Sequence, residues 1–277
     1  MCKDRSQAHA FTLIELLVVV AVIALLLGIL VPALAATKQA AETTKATVAA
    51  RSLMQAYLMY AAEHKDEVLP AYLSPQDATT GVYDEFGNPL VPPVSQRWVY
   101  RLGPYFDYGW AGTTHIGTRA ELLDQYEQII EGTNGLFNWS YNVSVFPSFG
   151  INRRYMGGDA RNPQWMAQRY HVRRMSDARQ SSNMIVFASA RYVAGPSSYE
   201  GYVEVDPPPL EGVYNDRLPT TQAATAFGHL RLSYQDRAVI GFLDGHSATL
   251  SEKDLLDRRR WANPAAKRSD PNWEPEP

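Results

Sequence analysis

The beginning of the chain differs in polarity from everything that follows it. Residues 16–36 form an uncharged run of twenty-one residues, LLVVVAVIALLLGILVPALAA. At about 1.5 Å per residue, a helix of this length reaches about 30 Å, which matches the hydrocarbon thickness of a bilayer. A buried core helix is the alternative, but so long an uncharged run at the start of a chain favours a transmembrane helix.

A second helical pattern follows directly. Residues 37–65 are rich in alanine and contain no glycine or proline, which favours a continuing helix. Apolar residues recur here at spacings of three and four, on one helical face: Leu53, Met54, Tyr57, Leu58 and Ala61. The two patterns together predict one long helix, transmembrane in its first half and amphipathic in its second. We expect the amphipathic half to pack on the protein's own globular domain.

Short apolar segments of strand length dominate the last third of the chain. Asp244-Gly245 separates the last of them from residues 247–250, and Asp-Gly between apolar runs predicts a two-residue β-hairpin. The sequence therefore predicts an α+β fold in which the long helix packs on an antiparallel β-sheet. The three segments with strand composition are NMIVFA at 183–188, GYVEV at 201–205 and RAVIGFL at 237–243.

Four other parts of the chain have sequence patterns that predict their local structure. Residues 69–93 are rich in proline and glycine, which predicts an irregular connection. A short helix is predicted at 121–130. Ser251 precedes an acidic turn and predicts a helix cap. From residue 262 the chain is proline-rich and polar, which predicts a disordered tail over 262–277.

Three residues modify the apolar run. Glu15 places a carboxylate directly against it, where a secretory signal would carry none. Because an acidic residue at the centre of a membrane helix costs ~2.5 to 3.5 kcal/mol, such a group needs a partner or a purpose. Gly28 and Pro32 interrupt the run near its outer end, and Pro32 removes an intrahelical donor, which predicts a kink there.

The residues Ala10-Phe11-Thr12-Leu13-Ile14-Glu15, followed by an apolar helix that contains Pro32, resemble the N-terminal motif of type IV prepilins and type II secretion pseudopilins. The resemblance implies that a prepilin peptidase cuts between Ala10 and Phe11 and that the new amino group of Phe11 is methylated. The family usually has Gly before the cut, where this chain has Ala10. The resemblance also implies that Glu15 pairs with the amino terminus of a neighbouring subunit during assembly.

The resemblance implies a pilin-like fold, and together with the composition of the tail it divides the chain into four expected segments. These are a leader at 1–10, a transmembrane and assembly helix at 11–36, a globular domain at 37–261 that includes the outer half of the helix, and the tail at 262–277. Lys3 and Arg5 precede the span, and positive charge is retained on the cytoplasmic side of a membrane. We therefore expect a single-pass protein of the bacterial inner membrane with a periplasmic head, which enters a filament after assembly.

The C-terminal half resembles large pilin-like proteins of planctomycetes and related bacteria, in which a His precedes an Asp-Gly-His element. The corresponding residues here are His229, Asp244, Gly245 and His246, and fourteen residues separate His229 from Asp244, more than is usual. Two imidazoles and a carboxylate also make a plausible metal-ligand set. The alternative is that Asp244 and Gly245 form the hairpin turn while His229 and His246 are surface or cap residues, and this interpretation is favoured.

Composition narrows the classes of function. The formal net charge of -3 supplies no basic surface of the kind that nucleic-acid binding requires. Cys2 is the only cysteine and lies in the expected leader, so the mature chain cannot form an internal disulfide. No G-x-S-x-G, H-E-x-x-H, phosphate-loop or dinucleotide motif is present. We therefore expect neither enzymatic activity nor a cofactor.

These observations favour a structural subunit, a pseudopilin or minor pilin, of a type IV pilin-like filament or type II secretion system. The expected partners are other pilin or pseudopilin subunits, the prepilin peptidase and the inner-membrane assembly platform. The alternative is a membrane-tethered periplasmic enzyme, or a ligand-binding or adhesin protein, that uses a pilin-type anchor. The sequence does not distinguish a secretion pseudopilus from a pilus.

Overall fold

The computed structural model divides the chain into two compact units, Met1–Ala41 and Glu42–Pro277. The boundary falls within the long helical pattern, a few residues after the uncharged run ends. The structure describes residues 13–79, 81–121, 123, 136–168, 170–194, 197–208 and 228–275.

A single helix, α1, spans Leu13–Glu63 and confirms the predicted long helix. The prediction extended it to Lys65, but the helix ends two residues earlier. Lys65 and Asp66 adopt left-handed backbone conformations with φ of 55° and 71°. A right-handed helix cannot continue through two such residues, so the chain turns away after Glu63.

The other helices are short. Of the helix predicted at 121–130, most residues lie outside the described part of the chain. The irregular connection predicted at 69–93 contains one 3₁₀ turn, Asp77–Thr79, and otherwise no helix or strand among its described residues. Residues 118–121 and 123 are also helical. Further α-helices among the described residues are α2 (Trp98–Leu102), α3 (Leu136–Val145), α4 (Pro163–Gln168), α5 (Glu252–Leu255) and α6 (Asn263–Arg268). Further 3₁₀ turns are Gly103–Phe106, Met175–Asp177, Ser181–Asn183 and Arg258–Arg260.

A five-stranded sheet forms the centre of the head and confirms the predicted α+β class. Its strand order is β5-β1-β2-β6-β7, and β3 and β4 form a separate two-stranded sheet. The strands are β1 (Phe149–Asn152), β2 (Ile185–Ser189), β3 (Arg191–Ala194), β4 (Ser197–Glu200), β5 (Glu204–Val205), β6 (Arg237–Phe242) and β7 (Ser247–Ser251).

The sheet is mixed, which corrects the prediction of a purely antiparallel one. The pairs β1–β2, β2–β6 and β6–β7 are antiparallel, but β1 and β5 are parallel. Some fifty residues lie between β1 and β5, and a connection of that length lets the chain return in its original direction. Strand β5 is also shorter than the segment predicted at 201–205.

The outer half of α1 covers one face of the sheet, as predicted. Leu53, Met54 and Tyr57 are fully buried. The ring of Tyr57 contacts Phe187 of β2 edge-on, with centroids 5.7 Å apart. At Gly241 of β6 a Cβ atom would lie 2.7 Å from Cγ of Met54, so the helix approaches the strand more closely than a side chain there would allow.

The C-terminal segment covers the opposite face, so the prediction of a disordered tail is wrong for residues 262–275. Ala262, Ala265 and Trp273 are buried in the same apolar cluster as Ile240 and Phe242 of β6. The proline-rich, polar composition concealed these few apolar residues. They are sufficient to order the segment because each covers the sheet, which would otherwise expose its second face to water.

The β6–β7 hairpin confirms the predicted reversal but not its length. The N–H of Gly245 donates to the carbonyl of Phe242 (2.8 Å), and the N–H of Phe242 donates to the carbonyl of His246 (2.9 Å). Residues 243–246 therefore connect the strands, and Gly245 has a φ of 93°. The glycine serves as the positive-φ residue of a longer loop rather than as half of a two-residue turn. Ser251 caps α5 as predicted, accepting the N–H of Asp254.

Candidate assembly segment

Glu15 lies in the first turn of α1, immediately before the uncharged run. A carboxylate in this position is favoured by the positive end of the helix dipole. Glu15 is the only residue with an ionisable side chain between residues 13 and 36. The segment therefore combines one negative charge with an otherwise apolar helix.

The side chains of residues 13–36, the part of α1 long enough to span a membrane, are all exposed. From Leu13 to Leu34 the large apolar residues are between 48% and 80% exposed. Soluble monomers rarely expose a contiguous apolar surface of this extent. By length and composition, α1 is the one helix in the described part of the chain that could cross a membrane. Lipid, other helices or both are the environments in which such a surface is stable.

Pro32 lies inside α1, and the helix continues through it. A proline has no N–H to donate to the carbonyl four residues earlier, which here belongs to Gly28. A Cβ atom placed on Gly28 would meet nothing within 4 Å, so packing within the chain does not require a glycine there. The kink at Gly28 and Pro32 stays a prediction.

A comparison with protein families finds a match over the same segment. The family described as "Prokaryotic N-terminal methylation motif" matches residues 5–31. The chain carries a prepilin-type N-terminal methylation motif. The prepilin motif and the long apolar helix that follows it confirm the resemblance drawn from residues 10–15.

The prepilin-type motif indicates a type IV pilin-like or pseudopilin precursor that is processed by prepilin peptidase. Together with the apolar helix it supports anchoring in a membrane. Proteins with this motif are structural rather than enzymatic, and the motif implies assembly with other pilin subunits in general. Ala10 and Phe11, between which the cut is predicted, lie outside the described residues.

The match ends at residue 31, so it says nothing about the head. Neither any curated protein nor any solved structure is significantly similar to the chain. The architecture of the head, a long helix against a mixed sheet, is consistent with a pilin-like fold. The resemblance of His229, Asp244 and His246 to a planctomycete element stays an expectation.

The structure does not bring the three candidate metal ligands together. Among the described residues, no group of three or more His, Cys, Asp or Glu side chains could hold a metal ion. His229 packs against the ring of Tyr202, with centroids 4.3 Å apart. His246 instead stacks on Phe242 and bonds through Nδ1 to Oδ1 of Asp244 at 2.5 Å. Burial alone would raise the pKa of Asp244, but the hydrogen bonds from His246 outweigh it and lower that pKa.

A group of charged residues that no local sequence pattern predicts lies beside the parallel β1–β5 pair. Arg153 bonds to Asp206 at 2.6 Å and approaches Glu204 at 3.3 Å. Arg161 bonds to Asp159 at 2.6 Å and also to Glu204. Arg154 also bonds to Asp206, at 3.1 Å, so three arginines balance the three carboxylates. The group therefore stabilises the sheet edge rather than offering an open binding site.

Proposed function

We propose that the chain is a structural subunit, a pseudopilin or minor pilin, of a type IV pilin-like filament or a type II secretion system. Prepilin peptidase removes residues 1–10, and the new amino terminus at Phe11 is methylated. The mature subunit then assembles through residues 11–36 with other pilin or pseudopilin subunits at an inner-membrane assembly platform.

One observation carries this proposal. The helix segment that follows the prepilin-type motif exposes its apolar side chains, whereas the amphipathic half of the same helix is buried in the head. An exposed apolar helix suits lipid before assembly and neighbouring helices after it. Such stacking is head-to-tail and open-ended, which is the symmetry that a growing filament requires.

Glu15 has a specific role in this scheme. A carboxylate among apolar helices is strongly disfavoured unless a cation lies close to it. The amino terminus at Phe11 of a neighbouring subunit supplies that cation, and attraction between the two charges is strong where the dielectric constant is low. The incoming subunit is therefore drawn to the axial position at which its neighbour's Glu15 meets its own amine.

The proposed orientation places the amino terminus in the cytoplasm and the head in the periplasm. Lys3 and Arg5 flank the span on its N-terminal side, in agreement with the excess of positive charge on cytoplasmic segments. The ATPase that drives growth would act from the cytoplasm and is a separate protein.

The maturation step can be tested by N-terminal sequencing of the protein from cells with and without prepilin peptidase. The proposal predicts a methylated Phe11 as first residue in the presence of the peptidase and an uncut leader in its absence. Ala10→Gly should be cut at least as completely as the wild type, whereas Ala10→Leu should remain uncut. Loss of the whole apolar run from the mature protein would refute the proposal.

A further inference from the structure

Exposed apolar side chains are concentrated in one short segment of the head. Tyr83, Phe86 and Val91 lie within nine residues of one another, and all three are exposed, Phe86 to 73% and Val91 to 62%. Single exposed apolar residues are common on soluble proteins and need no explanation. Several of them side by side mark a surface that binds a partner.

The segment 81–91 is a small hairpin with a fixed tip. The N–H of Asp84 donates to the carbonyl of Asn88 (2.9 Å). The Oδ1 atom of Asp84 accepts the N–H groups of Phe86 (3.0 Å) and Asn88 (2.7 Å), and its Oδ2 atom accepts the side-chain amide of Asn88 (2.9 Å). These bonds fix the backbone on both sides of Phe86, so its ring is held in solvent by an ordered turn.

Two of the exposed residues lie on the same side of the hairpin. Both chain neighbours of Tyr83 are buried, so exposure alternates along this strand. Tyr83 pairs with Pro89 in a β-bridge, and Val91 follows two residues later, which places it on the same side. Tyr83, Phe86 and Val91 are called the hairpin patch below.

The charged groups around the hairpin patch are mainly acidic. Between residues 81 and 96 the only charged residues are Asp84 and Glu85. The exposed Glu63 lines the same cavity as Tyr83. Arg101 lines this cavity too, but its Nη2 donates to backbone carbonyls, among them that of Ala71 (3.3 Å). The hairpin patch therefore suits a surface that combines apolar side chains with positive charge.

A surface of that kind lies on the outer half of α1. Val48 is exposed, and the exposed Lys45 and Arg51 lie three residues before and after it. Residues three apart are neighbours on a helix, so these side chains form one surface, called the helix patch below. Lys45 and Arg51 are the only charged residues between 43 and 62, and neither forms an ion pair with another described residue.

The two patches are complementary in three respects. Val48 and the apolar stems of the flanking cations offer contact area to the aromatic rings of Tyr83 and Phe86. The cationic groups can lie over the faces of these rings. Their positive charge is also attracted by the carboxylates of the hairpin. An anionic lipid surface is a poorer match, because those carboxylates would repel its headgroups.

We propose that the hairpin patch of one subunit binds the helix patch of the next copy of this chain. The two patches are different surfaces of one head, so each copy can use both, and the contact repeats head-to-tail without closing. This inference rests on the proposed function and names the head surfaces that meet when subunits stack through residues 11–36.

Cysteine cross-linking of the full chain tests this contact. In a Cys2→Ser background the introduced cysteines are the only thiols. Phe86→Cys combined with Val48→Cys should give a ladder of multimers with a short bismaleimide in sheared filaments, because each subunit contributes both thiols. Either substitution alone should give about tenfold less product, since like thiols are not brought together. A strong dimer from Phe86→Cys alone would indicate a two-fold contact and overturn the proposal.

Phe86→Cys combined with Lys267→Cys is the matched control. Lys267 is exposed on α6, which belongs to the segment that covers the face of the sheet opposite to α1. This pair should give about tenfold less multimer than the pair with Val48→Cys. Equal yields from the two pairs would show that the cross-links arise from random collisions, and would overturn the proposal.

Charge reversal tests the electrostatic part of the contact. Arg51→Glu places a negative charge opposite the acidic hairpin, so it should reduce the yield of the Phe86→Cys and Val48→Cys pair several-fold. Arg51→Lys keeps the positive charge and should retain most of the yield. Arg51 is exposed, so neither change should prevent folding. An unchanged yield with Arg51→Glu would contradict the proposed contact.

Cross-linking in liposomes that contain only the purified chain separates this inference from the proposed function. Normal assembly in cells without the product of Phe86→Cys and Val48→Cys would overturn the inference and leave the proposed function intact. Multimers in liposomes, but no subunit in sheared filaments from cells, would support the contact and count against the filament. Absence of multimers from both preparations would overturn the inference.

Discussion

The two halves of α1 have the same helical backbone but opposite surroundings. In the first half Leu25 is 67% exposed, whereas in the second half Leu53 is fully buried. The first half is apolar on all sides, and the second is apolar on one face. A helix that is apolar on all sides needs lipid or other subunits to cover it. A helix with one apolar stripe can bury that stripe against its own chain.

Matched leucine substitutions give the largest expected difference between the two halves. Leu53→Ala should reduce the free energy of unfolding of the head by about 2–5 kcal/mol, because it leaves a cavity in the core. Leu25→Ala should leave that free energy unchanged. All six tryptophans lie between residues 98 and 273, so tryptophan fluorescence during denaturant unfolding of the full chain in micelles reports on the head alone. Equal effects of the two substitutions would contradict the division of α1.

Glycine substitutions make a finer comparison. Gly241→Ala should destabilise the head by about 1–3 kcal/mol, because the new methyl group overlaps Met54. Gly28→Ala adds the same methyl group to the first half, where it meets nothing within 4 Å. We expect a change within about 0.5 kcal/mol there, measured by the same unfolding assay. A neutral Gly241→Ala would show that α1 does not approach β6 as closely as described.

A pH titration tests whether the acid sensitivity of the protein resides in the head. His115 is 1% exposed, and burial lowers its pKa to about 3. Between about pH 6.5, the pKa of histidine in the unfolded state, and pH 3, His115 binds a proton in the unfolded state but not in the folded state. Protonation therefore stabilises the unfolded state, and the free energy of unfolding decreases as the pH falls through this range. This contribution of His115 changes by at most about 1.4 kcal/mol per pH unit.

His115→Leu should remove this contribution, so that the unfolding free energy of the variant falls less between pH 7 and pH 5 than that of the wild type, by about 1–2 kcal/mol. Glu15→Gln serves as the control in the first half and should leave the pH dependence of head unfolding unchanged. Identical pH profiles for His115→Leu and wild type would show that His115 binds a proton as readily in the folded state as in the unfolded state, which contradicts the lowered pKa.

Short sequence patterns correctly predicted the features of the fold that depend on neighbouring residues. The stripe of Leu53, Met54 and Tyr57 predicted the buried face of α1, and Asp244-Gly245 predicted the reversal between β6 and β7. The cap at Ser251 was also correct. Each of these features depends on a few neighbouring residues, whose spacing and backbone preferences can be read directly from the sequence.

Contacts between distant segments were not predictable in this way. The parallel pairing of β1 with β5 depends on fifty intervening residues, and the order of 262–275 depends on a sheet face that only exists after folding. Composition averages over a segment, so it concealed Ala262, Ala265 and Trp273, which pack the C-terminal segment against the head.

The most direct test of the proposed assembly mechanism is a substitution of Glu15. Glu15→Gln keeps the size of the side chain but removes its charge, and Glu42→Gln makes the same change on an exposed position of α1 beyond the uncharged run. Both variants should be cut by prepilin peptidase as the wild type is, which shows that they reach the membrane.

The measurement is the amount of mature subunit in sheared filaments or in chemically cross-linked multimers from cells. Loss of one partner of a buried charge pair costs about 3–5 kcal/mol, so Glu15→Gln should be depleted at least tenfold from the assembled fraction. Glu42→Gln should be incorporated like the wild type. Full incorporation of correctly cut Glu15→Gln would contradict the proposal that pairing between Glu15 and a neighbouring amino terminus drives assembly.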